Sequence, residues 1–323
     1  RKMVGVSNQM EIYYLKGGAE DATYECELYQ NSSEKGNIRI AENVYIGYIV
    51  PDETLERIAF LTGKSDQRVF TLNIYDRING KKVLDTNVST VFASDIDTGR
   101  YVYSKNKTSQ NAMGELYLLN GQQSTALITD MIYNQSQVAV SDDFNTIAYI
   151  EEYDVQSKMG TLSKMVFENG KQKSKEVIDR QVSAFSLSGN GEIAAYVKNM
   201  DSMRNGELYY HKKGKSVFVA KDVHIFNYKL LPEGDKLYYL SRYSVEDGSG
   251  SLYVADTRTA EEAKKIDENV YNNFYFREDG SIVYFRNYNP VLQRGELMQY
   301  KNNKAEYIDN EVKTLLFEYS KVN

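Results

Sequence analysis

The chain has one cysteine, three prolines, two histidines and no tryptophan in its 323 residues. A lone Cys26 excludes an intrachain disulfide. In "TYECELY" Cys26 alternates with Leu28 on one face, which reads as a buried, inert thiol rather than a reactive one. His211 and His224, without cysteine partners, do not make a zinc site, and each reads as structural or surface. No run approaches 18 apolar residues, so no segment reads as a membrane helix, and no signal peptide is visible. The opening "RKMVGVS" lacks an initiator Met, which is expected of an excised domain or a processed start. The G-x-S-x-G elbow of hydrolases is missing. "SGNG" and "DGSGS" do not have the spacing of a phosphate loop. A basic excess is missing too. With 39 Lys and Arg against 45 Asp and Glu the net charge is -6, which argues against nucleic acid as a partner.

What the chain has in quantity is aromatic side chain, 28 Tyr and 12 Phe, which favours strands. Its phrases also recur. Ile12, Ile58, Tyr101, Ile147, Ile193, Leu237 and Ile282 each open a run such as "IYYL", "IAFL" or "IAYI", at spacings of 43 to 46 residues. A second series follows at Leu28, Ile74, Leu116, Leu162, Leu208, Leu252 and Leu297. A third closes each copy at Val44, Val88, Ile132, Val182, Val223, Val270 and Val312. A period near 45 residues with four short strands per copy predicts a β-propeller blade. The expectation is all-β: one seven-bladed β-propeller over 1–323, with four antiparallel strands per blade. The repeats run 1–44, 45–88, 89–132, 133–182, 183–223, 224–270 and 271–312. Residues 313–323 are a closing strand or tail, with "TLLFEY" at 314–319 pairing near the first blade. A fragment of an eight-bladed ring is the alternative. "TAEEAKKI" at 259–266 reads as a loop with a turn of helix.

The phrases "SDDFNTIAY", "SGNGEIAAY" and "REDGSIVYF" resemble the S-x-D-G-x-x-I-A-[YF] core of TolB-like, WD40-like bacterial propellers. The resemblance covers all seven copies. The Pro between Ser and Asp is missing, with Pro232 in "LPEGDKLYY" as a relic, and the count is seven rather than six. The resemblance implies an extracytoplasmic bacterial propeller on the cell surface or envelope, tethered to a membrane only through sequence outside this chain. It carries over no functional residue.

No catalytic motif and no metal or cofactor site emerges. "DIDTG" at 95–99 falls where every copy has its turn, so turn chemistry explains it better than calcium. Acidic neighbours such as Asp142-Asp143 and Glu151-Glu152 read as solvated surface. The loops between second and third strands vary most, and scaffolds place function on such loops. Lys16, Lys105, Lys198, Arg242 and Arg286 are expected to gather there beside Tyr45, Tyr133, Tyr243, Tyr271 and Tyr288. Such a cationic, tyrosine-lined mouth would take a protein or an anionic cell-wall polymer. The expected function is a non-catalytic binding ectodomain of a bacterial envelope protein. A carbohydrate-active enzyme with carboxylates at the channel mouth and a structural spacer are the alternatives.

Overall fold

A computed structural model describes residues 2–17, 25–63, 69–106, 114–132, 137–259, 261–277 and 280–313. Among these residues the fold is all-β, without an α-helix. Each strand pairs antiparallel with its neighbours in sequence order, in one sheet of ten strands and one of thirteen. The chain divides into two compact units. The first is Arg1–Val140 with Glu151–Tyr153 and Glu168–Lys171, and the second is the remainder.

The first unit contains β1 (Lys2–Val6), β2 (Ile12–Lys16), β3 (Glu25–Ser32), β4 (Gly36–Pro51), β5 (Arg57–Thr62), β6 (Phe70–Asp76), β7 (Gly80–Asp95), β8 (Arg100–Lys105), β9 (Gly114–Asn120), β10 (Gln123–Ile132) and β11 (Val138–Val140). Most of the following strands belong to the second: β12 (Thr146–Asp154), β13 (Met159–Glu168), β14 (Lys171–Leu187), β15 (Ile193–Lys198), β16 (Asn205–Lys212), β17 (Lys215–Leu230), β18 (Lys236–Ser244), β19 (Ser249–Asp256), β20 (Lys264–Phe276), β21 (Ile282–Asn289), β22 (Arg294–Lys301) and β23 (Lys304–Val312). In place of the helical turn expected within 259–266, β20 begins at Lys264, and residue 260 lies outside the described residues.

The four-strand period is present, but it is not cut into seven separate sheets. β4, β7, β14, β17 and β20 each join the fourth strand of one repeat to the first strand of the next. The result is a strand of up to 17 residues, as in β14. In β17, Lys215–His224 pairs back with β16, and Val223–Leu230 pairs forward with β18. One strand therefore serves two repeats at each of these boundaries, and the hydrogen-bonded ladder is interrupted only between β10 and β11 among the described residues. This is why the expected seven blades appear as two long meanders. Residues 314–319, read as a closing strand, lie outside the described residues.

The second strands from β5 onward are buried on both faces, as the pattern at Ile193–Val197 shows, whereas β2 alternates and leaves Ile12 exposed. Ile58, Ile147, Ile193 and Ile282 are all buried there. Burial on both faces hides register from the sequence. Val197 pairs with Leu208 just as Leu240 pairs with Leu252, so Ala194, not Ile193, is the equivalent of Leu237. Likewise Leu61 pairs with Leu72, so the buried Leu72 replaces Ile74 in the second series. Cys26 is buried, and its thiol, pushed up by burial, donates to the Val44 carbonyl at 3.3 Å.

The turns between first and second strands lock to one another within the second unit. Ser188 Oγ accepts from the Ile193 amide at 3.0 Å and donates to Asn190 Oδ1 at 2.7 Å. Ser141 does the same with Thr146 and Asp143. The Asp142 amide then donates to the Gly189 carbonyl, and the Gly189 amide to the Pro232 carbonyl, both at 2.7 Å. Gly189 admits this approach, since a Cβ there would lie 2.3 Å from Asp142 Oδ2. In the first unit the turn at 95–99 uses its acids in the same structural way. Asp95 pairs with Arg100 at 3.1 Å, and Asp97 is bonded by Arg57.

Candidate functional site

The boundary between repeats is a paired kink. Asn43, Asn87, Gln181, Asp222, Asn269 and Glu311 each take φ between +53° and +59° one residue before the closing valine. Asn106 and Asn199 have positive φ just after β8 and β15, and Arg242 and Asn287 near the ends of β18 and β21. The two rows are bonded together. The Gly63, Asn106 and Asn199 amides donate to the Asn43, Asn87 and Gln181 carbonyls at 2.9, 3.3 and 3.1 Å. Just after these kinks, Tyr45, His224 and Tyr271 pair with the first residues of a third strand, Glu25, Asn205 and Ser249.

The expected cations sit against these kinks, inside the ladder. Lys105, Lys198 and Arg286 are the cross-strand partners of the buried Val88, Val182 and Val270. Each is bonded by an aspartate three residues before that valine. Lys105 meets Asp85 at 2.7 Å, Lys198 meets Asp179 at 2.6 Å, and Arg286 meets Asp267 at 3.5 Å and Glu296 at 2.6 Å. Tyr103, Tyr196 and Tyr284 donate to the same aspartates. Burial pushes the Asp85 and Asp179 carboxyls up, but the hydrogen bonds from Lys and Tyr outweigh it and hold both below the ordinary carboxylate value. These three cations are committed to internal pairs. Lys16 is exposed, with its ammonium 5.5 Å from the Tyr29 ring centre, and Arg242 is exposed. A sequence signal for the pairing exists. Where Asp stands three before the valine, the facing residue is a cation, and where Ala41 or Ala220 stands there, it is Thr62 or Ser241.

The expected tyrosines fare differently. Tyr133 lies outside the described residues. In the first unit Tyr45 stacks on Phe70 with ring centres 4.7 Å apart. In the second unit a row forms. Arg204 lies 5.9 Å from the Phe226 ring centre, and Phe226 is 5.6 Å from His224. His224 is 5.3 Å from Tyr243, and Asn272 Nδ2 donates to the Tyr243 hydroxyl at 3.0 Å. Beside Asn272, Tyr271 packs on Tyr288 at 4.4 Å. Burial, aided by Arg204, holds the His224 ring below the ordinary histidine value.

Four loops of the second unit repeat one device that the sequence reading missed. Asp154, Asp201 and Asn289 each accept a backbone amide two residues on through the side chain, and Ser244 accepts that of Asp247. Lys158, Arg204, Gly248 and Gln293 then reverse the chain with positive φ. Such side-chain-capped turns hold a loop tip in one conformation. Each tip presents an apolar residue to solvent. Val155 is 46% exposed, Met203 68%, Val245 66% and Val291 87%. The detectable signal is an Asp, Ser or Asn followed one or two residues later by a large apolar side chain in four consecutive variable loops.

No protein-family model and no curated protein sequence matches the chain, so the TolB-like likeness rests on the short phrases alone. Solved structures do match. The dipeptidyl peptidase 4 of Porphyromonas gingivalis aligns over 95% of this chain and 52% of its own, at 12% identity and a TM-score of 0.57. The β-propeller domain of the Trilobed protease from Pyrococcus furiosus aligns over 96% of this chain and 98% of its own, at 13% identity and 0.46. The tricorn protease aligns over 96% and 34%, at 12% identity and 0.47. The chain thus spans about half or less of the two whole peptidases, and the likeness is one of fold. These matches correct the functional expectation. The three structures named are two peptidases and the propeller domain of a third. The expectation of a purely non-catalytic binding ectodomain is corrected on this point: the fold it was read from is one the chain shares with a dipeptidyl peptidase.

Proposed function

We propose that this chain is a propeller that works beside a peptidase catalytic domain, receiving an extended peptide at the loop end of its second unit. The observation that carries the reading is the pairing of four capped, apolar loop tips with the row from Arg204 to Tyr288. Aromatic rings and Arg give large contact area with polar tips, and a pre-set backbone lowers the ordering cost of binding. The fold shared with a dipeptidyl peptidase supports the association. The test is fluorescence anisotropy with labelled, unstructured peptides rich in aromatic and aliphatic residues. The Phe226→Ala, Tyr243→Ala double variant should bind about tenfold more weakly than wild type, as loss of central aromatic anchors does. Equal binding by both proteins, or none by wild type, overturns the reading.

The same reading takes the seven four-strand repeats as blades of one propeller. Residues 314–319 would add a strand at its first blade, since an open ring leaves exposed edges. Deleting 313–323 should then lower the melting temperature, and an unchanged melting curve would remove the closing strand.

A further inference from the structure

Away from the loop end, β14, β16 and β17 bring together three side chains that the aromatic row and the capped turns do not use. His211 on β16 is 3% exposed. Its Nδ1 lies 3.1 Å from Ser216 Oγ, and its Nε2 lies 3.0 Å from Glu176 Oε1. Ser216 is the cross-strand partner of His211, joined to it through the hairpin turn of Lys213 and Gly214. Both turn residues have positive φ, +50° and +73°, as a two-residue hairpin turn requires. Lys164 holds Glu176 from the other side at 3.6 Å. Ser216 itself is exposed.

We propose that Ser216, His211 and Glu176 form a nucleophile, base and orienting acid able to take an acyl group from small activated esters. The roles follow from donor and acceptor chemistry. A carboxylate only accepts, so Nε2 carries the ring proton and donates it to Glu176. Nδ1 is then left as the acceptor facing the Ser216 hydroxyl. A hydroxyl within reach of a base that a third group orients is the general signature of an activated nucleophile. The ring is used in reverse of the usual order, with Nδ1 rather than Nε2 toward the serine. Ser216 is exposed, so the reacting oxygen stands on the solvent side, while the Glu176 side chain is itself partly exposed at 36%. In the step, Ser216 Oγ bonds to the ester carbonyl carbon while its proton passes to Nδ1. The bond from that carbon to the leaving oxygen then breaks, and the leaving group departs with that proton. Water, deprotonated by the same nitrogen, releases the acid and restores the serine. Burial lowers the His211 pKa and outweighs the opposite pull of Glu176 and Asp179, with Lys164 adding to the lowering, so the ring is a neutral base near pH 7.

The experiment treats the intact chain with a fluorophosphonate probe. A phosphorus–oxygen bond forms at the labelled serine and fluoride leaves, and mass spectrometry locates the adduct. Ser216 should be labelled well ahead of Ser202, an exposed loop serine. Its rate should fall about 100-fold in His211→Gln, the usual scale of general-base assistance. The rate should rise with pH through one ionisation below the ordinary histidine value of about 6.5. Glu176→Gln keeps the size of the acid, so it separates chemistry from folding, and it should slow labelling and shift that pH profile downward. Labelling of Ser216 at the rate of Ser202, or an unchanged rate and profile in Glu176→Gln, overturns the proposal.

Discussion

Asp85, Asp179 and Asp267 each decide the fate of a cation about twenty residues further on. A lysine at a strand end, seen alone, looks like a free surface charge. Beside an aspartate that also receives a tyrosine hydroxyl, it becomes half of a partly buried network. Breaking such a network by removing one partner costs more than an exposed pair is worth. Asp179→Asn should therefore destabilise the protein by about 1.5–3 kcal/mol at pH 7, the range for hydrogen bonds to charged groups. The folded carboxyl lies below its ordinary value. Its contribution is complete above the unfolded value of about 3.9 and is lost as pH falls through the folded one. Urea melts across that window should show the gap between wild type and variant closing at the acid end. A gap that is constant with pH would mean that packing, not charge, is the cause.

At the scale of elements, the kink between repeats rests on residues in the left-handed region. Asn43, Asn87 and Asn269 tolerate it, whereas Gln181 holds the same place with a side chain poorly suited to it. Gln181→Asn should raise stability by about 0.5–1 kcal/mol, part of the usual strain at such a site, and a denaturation midpoint checks it. No gain would show that the Gln181 side chain contributes a contact of its own. The turns make the opposite case. Ser188→Ala leaves the Ile193 amide without its hydroxyl acceptor in a buried turn, and a loss of about 1–3 kcal/mol follows. Gly189→Ala should cost more than that, because its Cβ would displace the Asp142 carboxylate and crowd the Pro232 carbonyl at 3.3 Å. Thermal melts that rank the two variants in the other order would mean that the turn-to-turn ladder is not tight.

For the whole molecule, contacts follow the chain. Strands pair with sequence neighbours, so a defect is felt most strongly by the repeats next to it, as in other repeat proteins. Ile147→Asp places a charge at a site with no exposed surface and should cost several kcal/mol. Hydrogen exchange should then show lost protection in β12, β13 and β15 well before β21 to β23. Uniform loss across the second unit would show that it unfolds as one block.

The sequence by itself determined the all-β class, the four-strand period and the chemistry of the turns. These follow from local alternation and from Asp, Asn, Ser and Gly recurring at fixed steps. It also marked the loops that vary and several of the aromatic residues later found together in the second unit. Register was not legible at Ile193 or Ile74, because a strand buried on both faces has no polar side to anchor it. The run of one strand through two repeats was hidden too, since kinked residues such as Asn43 look like ordinary turn residues in a list. The cations needed tertiary structure most. Whether Lys105, Lys198 and Arg286 face a partner or solvent depends on an aspartate brought alongside by strand pairing, and charge counts carry no distances. The relay at His211 needed it for the same reason. Glu176 is 35 residues away in sequence and 3.0 Å away in space.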